Sequence, residues 1–330
     1  MSPTLSLIIP CKDGEPFLPT LFETLLRQDV PDLEIVFVND GSSDRTGEVA
    51  EAYGEKFSRF TLLNNPQATG LANARNQGLD IVNGDLIGFL DGDDWLRPGH
   101  LHSLISAIEQ LDVDFVRCDH IRVTGHRRSL VRAPMALRNT VLPPRTGILP
   151  VDDSTMVDYP YAWAGIFNRR VHDNGLLRFP ADLMTAEDRS WIWRLHLECD
   201  SFAVVDAPGV CYRRGVSTSL TQIFDARRLD FLPAFEGVFD IVENDRDADL
   251  FWPKVARNWL AICAHHISSG ASMTNDVRKQ LKSGIRRVTR RIPPAVLAEV
   301  MRDFDARRLA IVMPFISATT WRTYVEGVIR

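Results

Sequence analysis

The sequence predicts an α/β fold: a mostly parallel sheet flanked by helices, followed by a helical C-terminal region. Three observations predict it. Short apolar runs alternate with segments of helical spacing through residues 5–110, the order expected of a covered parallel sheet. Two of those runs end in acidic turn clusters, at the strand ends where such sheets bind ligands. From residue 225 onward the pattern is helical, without repeats or low-complexity tracts. The expected division is therefore 1–224 and 225–330.

The elements follow in order. Leu5-Ser6-Leu7-Ile8-Ile9 is a short apolar run before Pro10 and reads as a buried strand. Phe17, Leu18, Leu21, Phe22 and Leu25 recur at helical spacing within 16–29. Glu34-Ile35-Val36-Phe37-Val38 is a second strand, stopped by Asn39-Asp40-Gly41-Ser42-Ser43-Asp44, a cluster of turn formers and caps that opens a helix over 46–57. A third strand over 60–64, a helix over 71–82 and a fourth strand, Leu86-Ile87-Gly88-Phe89-Leu90, lead to Asp91-Gly92-Asp93-Asp94. A helix over 98–110 and a strand over 113–123 follow. Residues 124–155 carry Gly, Pro and Arg without periodicity and read as an excursion or mobile loop, and 159–224 regains mixed structure.

A chain of 330 residues with 45% hydrophobic and 25% charged residues has room for one large core or two domains. Its net charge of −5 argues against a nucleic-acid binder. The total conceals an asymmetry, about −9 over 1–224 and about +4 over 225–330. Cys11, Cys118, Cys199, Cys211 and Cys263 show no C-x-x-C spacing, so free thiols in a reducing compartment are expected. The first apolar run is too short to span a membrane, and no basic segment or cleavage signal precedes it. A cytoplasmic protein is expected, with any membrane contact peripheral, at the inner face.

Asp91-Gly92-Asp93-Asp94 crowds carboxylates at a strand end. That arrangement makes sense around Mg²⁺ or Mn²⁺, hard cations that take oxygen ligands and substrate phosphates. A polar turn or helix cap would use the same residues, and the motif alone does not separate the two. Asp40 could accept a hydrogen bond from a base N–H or a ribose hydroxyl; for Asp44 a helix cap is the preferred reading.

Four motifs stand in order: Leu7-Ile8-Ile9-Pro10; Val36-Phe37-Val38-Asn39-Asp40-Gly41-Ser42-Ser43-Asp44; Gly70-Leu71-Ala72-Asn73-Ala74-Arg75-Asn76-Gln77-Gly78; and Phe89-Leu90-Asp91-Gly92-Asp93-Asp94-Trp95. Together they resemble the family 2 inverting glycosyltransferases of the Rossmann-like GT-A fold. The resemblance is dense over 5–100, thinner to about 220 and then stops. It implies a UDP-sugar donor, a Mn²⁺ or Mg²⁺ cofactor, and a glycan, polymer or lipid-linked acceptor in cell-surface polysaccharide or cell-wall polymer synthesis. It also implies roles. Pro10 and Lys12 would border the nucleotide, although Lys12-Asp13-Gly14 departs from the aromatic-Asn usual there. Asp40 would read the base and Arg75 would lie near base and diphosphate. Asp91 would hold the ribose or the metal's water shell, Asp93 would ligate the metal, and Asp94 would support them from behind.

Inverting transfer needs a carboxylate opposite the leaving group to take the acceptor proton. Ala186-Glu187-Asp188-Arg189-Ser190-Trp191 resembles the family's acidic pair at a helix start. It implies Asp188 as base, with Glu187 orienting the acceptor or tuning its partner. Without the upstream motifs an acidic first helical turn would be the better reading. Tyr159-Pro160-Tyr161-Ala162-Trp163 resembles the segment lining the sugar and acceptor side, where Trp163 either stacks on a sugar or belongs to the core. Cys211-Tyr212-Arg213-Arg214-Gly215-Val216-Ser217-Thr218-Ser219 resembles a late loop whose Arg213 or Arg214 would meet the leaving group, the alternative being an exposed basic pair.

Within 277–292, Val277, Leu281, Ile285, Val288 and Ile292 form one apolar face among seven Lys and Arg residues. The basic set could meet an anionic membrane surface, a lipid-linked phosphate or a polyanionic acceptor; a solvated helix packed on its own domain is the favoured reading. His265-His266 has no partner at metal spacing and reads as structural. Two competing functions remain: a nucleotidyltransferase, for which Cys11-Lys12-Asp13-Gly14 is insufficiently Gly-rich, and a non-catalytic glycan-binding or scaffolding domain. No P-loop or Gly-x-Gly-x-x-Gly motif occurs.

Overall fold

The structure is a computed structural model that describes residues 4–215 and 225–329, apart from the side chains at 271–272 and 328–329. Among the described residues, nine strands form one sheet in the order β3-β2-β1-β4-β8-β6-β9-β5, with β7 paired to β6. They are β1 Leu5–Cys11, β2 Leu33–Asp40, β3 Arg59–Asn65, β4 Leu86–Phe89, β5 Trp95–Leu96, β6 Phe115–Thr124, β7 Arg127–Val131, β8 Gly165–Asn168 and β9 Phe202–Arg214. The helices interleaved with them are α1 Leu18–Leu25, α2 Thr46–Gly54, α3 Leu71–Leu79, α4 His100–Leu111, α5 Arg169–Asp173 and α6 Asp188–Glu198.

β1 pairs in parallel with β2 and β4, and β2 with β3. β8 then enters antiparallel to both β4 and β6, while β6 and β9 run parallel. The sheet is thus parallel on its N-terminal side and mixed beyond β4. The central strands β1, β2 and β4 are buried on both faces, β1 throughout, which explains their apolar runs. Because β1 has β2 on one side and β4 on the other, the loops after β1 and β4 diverge around a crevice at their carboxyl ends, a switch point. Gly92 keeps them close: a Cβ there would lie 2.5 Å from the Cys11 sulfur. Asp44 accepts from the Thr46 amide (3.0 Å) and hydroxyl, so it serves the start of α2 locally.

Residues 124–155 are more ordered than the sequence suggested. They contain β7 and a 3₁₀ turn at Pro144–Gly147. Arg145 of that turn pairs with Asp245 (2.7 Å) and Asp247 (2.9 Å) of the helical region.

That region comprises α7 Phe231–Glu243, α8 Ala248–Ser268, α9 Asn275–Thr289, α10 Pro294–Arg302, α11 Ala306–Val312 and α12 Ala318–Ile329. It shares one continuous apolar core with the sheet: Phe231, Phe235, Trp259 and Leu281 belong to the same buried cluster as the strands. The expected boundary at 224 lies outside the described residues. In α9, Val277, Leu281, Ile285 and Val288 are buried. Arg287 pairs with Glu236, and Arg291 with Asp240 (2.7 Å) and Glu243 (3.1 Å). Part of the basic set is therefore neutralised by α7, while Lys279, Lys282, Arg286 and Arg290 remain exposed. Among the described residues no helix is long and apolar enough to cross a membrane. All five cysteines are free and buried.

Candidate active site

A cavity of about 820 Å³ opens at the switch point. Pro10, Lys12, Asp40, Arg75, Asp91, Asp93, Trp163, Glu187, Asp188, Arg213 and Arg214 all line it, so the structure brings every site residue read from the sequence into one space. Several of them are engaged differently from expectation.

Asp40, at the end of β2, is 5% exposed. Its Oδ1 accepts from the Thr69 amide (2.7 Å), the Thr69 hydroxyl (2.8 Å) and Asn65 (2.9 Å), and its Oδ2 from the Gly70 amide (2.9 Å). It clamps the loop before α3, and Oδ2 keeps capacity for one more donor. Lys12 is half exposed, hydrogen bonded to Asp13 (2.9 Å) and the Gly41 carbonyl (3.2 Å).

Arg75 was expected beside base and diphosphate. Instead its guanidinium is 4% exposed and joins two acids, Asp91 at 3.0 Å and Glu187 at 2.9 Å, while lying over Phe179 at 5.0 Å. Burial pulls its pKa down, but Asp91 and Glu187 outweigh that and raise it. A buried cation between carboxylates fixes both acidic motifs to one side chain, a connection that sequence spacing does not show.

Asp93 is pushed up to about 6, first by burial and then by Asp91. Asp94 is 1% exposed, and its Oδ1 accepts from the Arg213 amide (2.7 Å), so it braces β9 against the acidic turn. Arg213 also donates to the Asp93 carbonyl (2.8 Å) and lies over Trp95 (4.6 Å) and Phe17 (4.9 Å). It is a fixed positive charge beside Asp93. Arg214 donates to the Tyr212 hydroxyl at 3.1 Å. The continuation Val216-Ser217-Thr218-Ser219 of the late loop lies outside the described residues.

Among the described residues no three His, Cys, Asp or Glu side chains gather to hold a metal by themselves. Two carboxylates with substrate phosphates nevertheless suit Mg²⁺ or Mn²⁺. Burial and then the neighbouring Asp91 raise Asp93, and a cation at that carboxylate would oppose both. The residues fit a divalent ion.

Glu187 and Asp188 start α6. The preceding residue, Ala186, has φ 61°, a left-handed conformation uncommon for a residue with a Cβ. The chain is bent there to present the pair, and such strain concentrates at functional sites. Glu187 is pushed up to about 7 by burial, then by Asp188, against the opposing pull of Arg75. Asp188 is also raised by burial, with Arg189 and Arg75 opposing. Its side chain keeps 30% exposure, which places it on the floor of the cavity, reachable yet poorly solvated.

Trp163 is 4% exposed, stacked on Tyr161 (4.7 Å) and close to His120 (4.9 Å) and Tyr212 (5.1 Å). The core alternative describes it better. Half-buried Tyr161 and Tyr212 share the cavity lining with it. The alternation Tyr159-Pro160-Tyr161-Ala162-Trp163 held that signal, but the choice among rings needed the fold. Arg117, fully buried, holds this segment by donating to the carbonyls of Tyr159 (2.9 Å) and Tyr161 (2.8 Å). Arg189, Arg228 and the His265–His266 pair, the last read from the sequence as structural, also line the cavity.

A switch-point cavity that gathers an acidic turn and a helix-start acid pair fits a glycosyltransferase of GT-A fold, and the chain belongs to glycosyl transferase family 2, whose sequence profile matches residues 6–176. The chain is 33% identical over 225 residues to the uncharacterized glycosyltransferase EpsJ of Bacillus subtilis, a match covering 68% of this chain and 64% of that protein. It thus spans under two thirds of that relative's length. Poly(ribitol-phosphate) beta-N-acetylglucosaminyltransferase TarS of Staphylococcus aureus is 22% identical over 209 residues, 63% of this chain and 35% of TarS. The solved structure of S. aureus TarS residues 1–349 with UDP superposes with a TM-score of 0.71 at 19% identity, covering 98% of this chain and 92% of that one. That likeness is one of fold, and it extends through the C-terminal helices.

Proposed function

We propose that the protein transfers a sugar from a UDP-sugar to a hydroxyl of a glycan, polymer or lipid-linked acceptor, with inversion. The single observation that carries this reading is the Asp91–Arg75–Glu187 bridge, which holds the acidic turn and the acid pair of α6 together in one cavity. The solved TarS structures with UDP and with UDP-GlcNAc support a nucleotide-sugar donor. A mannosyltransferase from Pyrobaculum calidifontis, solved with GDP-Man and Mn²⁺ (TM-score 0.52), supports a divalent ion. The TarS name supports a cell-surface polymer as acceptor, and a cytoplasmic, peripheral setting accords with that.

Asp40 takes the base through its remaining acceptor capacity, with Pro10 and Lys12 at the nucleotide's edge. Arg213 and Arg214 face the diphosphate. A divalent ion held by Asp93 with Asp91 would neutralise charge on the departing diphosphate. Asp188 accepts the acceptor hydroxyl's proton as that oxygen bonds to the anomeric carbon and the bond to the diphosphate breaks. Glu187, held by Arg75, orients the acceptor or tunes Asp188 by like-charge proximity.

The test is UDP release with and without acceptor across UDP-sugars. Asp93→Asn should abolish transfer and weaken UDP binding in metal. Asp188→Asn should abolish transfer while leaving UDP affinity nearly unchanged. Retention of most activity by Asp188→Asn would refute the base assignment.

A further inference from the structure

Beyond Asp188 the cavity continues to a wall that the C-terminal region builds. Arg189 of α6, Arg228 of the 3₁₀ turn Ala226–Leu229, and His265 and His266 of α8 line it with Phe231 and Ile262. Among the described residues, no carboxylate after 225 joins that lining. Arg227, also present, has its charge met by Asp225 at 2.7 Å. Arg189 approaches Asp188 only to 3.9 Å, attraction without a hydrogen bond.

The histidines report the local field. Burial pushes His266 down to about 3, with Arg228, His265 and Arg189 adding to the effect. His265 is lowered by burial, then by Arg228, Arg308 and Arg189. Both are therefore neutral donors at pH 7 in a region of positive potential. His266 lies flat on Phe231, ring centroids 4.0 Å apart and planes 7° apart, which fixes its edge.

A neutral hydroxyl acceptor gains little from this charge. The diphosphate has its own cation in Arg213, which donates to the Asp93 carbonyl, and in-line displacement places the acceptor opposite the leaving group. An anion brought close to ionised Asp188 would be repelled unless cations offset it. We propose that Arg228 and Arg189, with His266 as a hydrogen-bond donor, form a subsite for an anionic group, phosphate or carboxylate, carried by the acceptor next to its reacting hydroxyl. The proposal rests on the assignment of Asp188 as base and of the Asp93 end as the donor site.

Calorimetry on the full chain saturated with UDP and Mn²⁺ tests it, because the donor phosphate site is then filled. Three probes of matched length are titrated: a glycerol-phosphate oligomer, a glucuronate-terminated oligosaccharide and a neutral gluco-oligosaccharide. At least one anionic probe should bind about tenfold more tightly than the neutral one, and the better of the two identifies the source of the charge. Arg228→Gln should erase the preference, Arg228→Lys should keep most of it, and both should retain the wild-type thermal midpoint and UDP affinity. Equal binding of the three probes, binding of none, or an unchanged preference in Arg228→Gln would overturn the subsite. Failure of the wild type to bind UDP would strike the donor assignment instead; the same titrations without UDP would then decide the subsite through the Arg228 variants.

Discussion

Arg75→Gln removes the one cation that joins Asp91 and Glu187. With 4% exposure and partners at 3.0 and 2.9 Å, it stands in a setting where deleting one partner of a buried ion pair costs about 3–5 kcal/mol. At about 2 °C per kcal/mol for a chain of this size, the thermal midpoint should fall by about 6–10 °C. The sign with pH follows from the carboxylates. Glu187 sits at about 7, raised by burial and Asp188 while Arg75 holds it down, so without Arg75 it rises further. An acid raised above its unfolded pKa contributes stability that is full below the unfolded value and lost as pH climbs through the folded one. The variant's deficit should therefore be smaller near pH 5.5 than near pH 8.5 without vanishing, because the contact to Asp91 is lost at both. Urea unfolding of both proteins at the two pH values, with EDTA present, measures it. Equal deficits at both, or a deficit under about 1 kcal/mol, would refute the bridge as an energetic link.

Transfer should fall on acidification at a pH above the usual Asp range, because burial raises Asp188 and the base must be ionised; a rate flat from pH 5.5 to 8.5 would exclude the pair. Gly165→Ala should abolish soluble expression or lower the midpoint sharply, since its Cβ would stand 1.9 Å from the Val116 carbonyl oxygen between β8 and β6, whereas Gly99→Ala meets open space and should cost about 1 kcal/mol for its φ of +75°. Leu281→Ala, at 1% exposure in α9, should cost about 2–5 kcal/mol by denaturant titration. The exposed neighbour Lys279→Ala should stay within about 0.5 kcal/mol.

The parallel half of the sheet was legible because β1, β2 and β4 are short apolar runs closed by Pro10, by Asn39-Asp40-Gly41 and by Asp91-Gly92. Helix ends were overshot: α2 stops at Gly54 and α3 at Leu79, short of the expected 57 and 82. β7 was invisible since Arg127–Val131 is largely polar and exposed, an edge strand held by pairing with β6. β9 runs through Pro208-Gly209, which would ordinarily end a strand; the register shift opposite Cys118/His120 absorbs them. At the site, the motifs located the residues but not their partners. Arg75 reaches Glu187 across 112 positions, and no local pattern encodes such a contact. Arg228 was missed, and His265-His266 was read only as structural, for the same reason: they lie past the point where family motifs stop.

The long helix α8 carries Trp259 and Cys263 into the common core and His265 and His266 to the cavity rim. Engineering that swaps the tail of this chain for another would change the foundation and the opening together. Laboratory selection for new recipients of the sugar should accordingly find its productive changes on exposed α8 positions such as His265, whose replacement leaves the foundation standing.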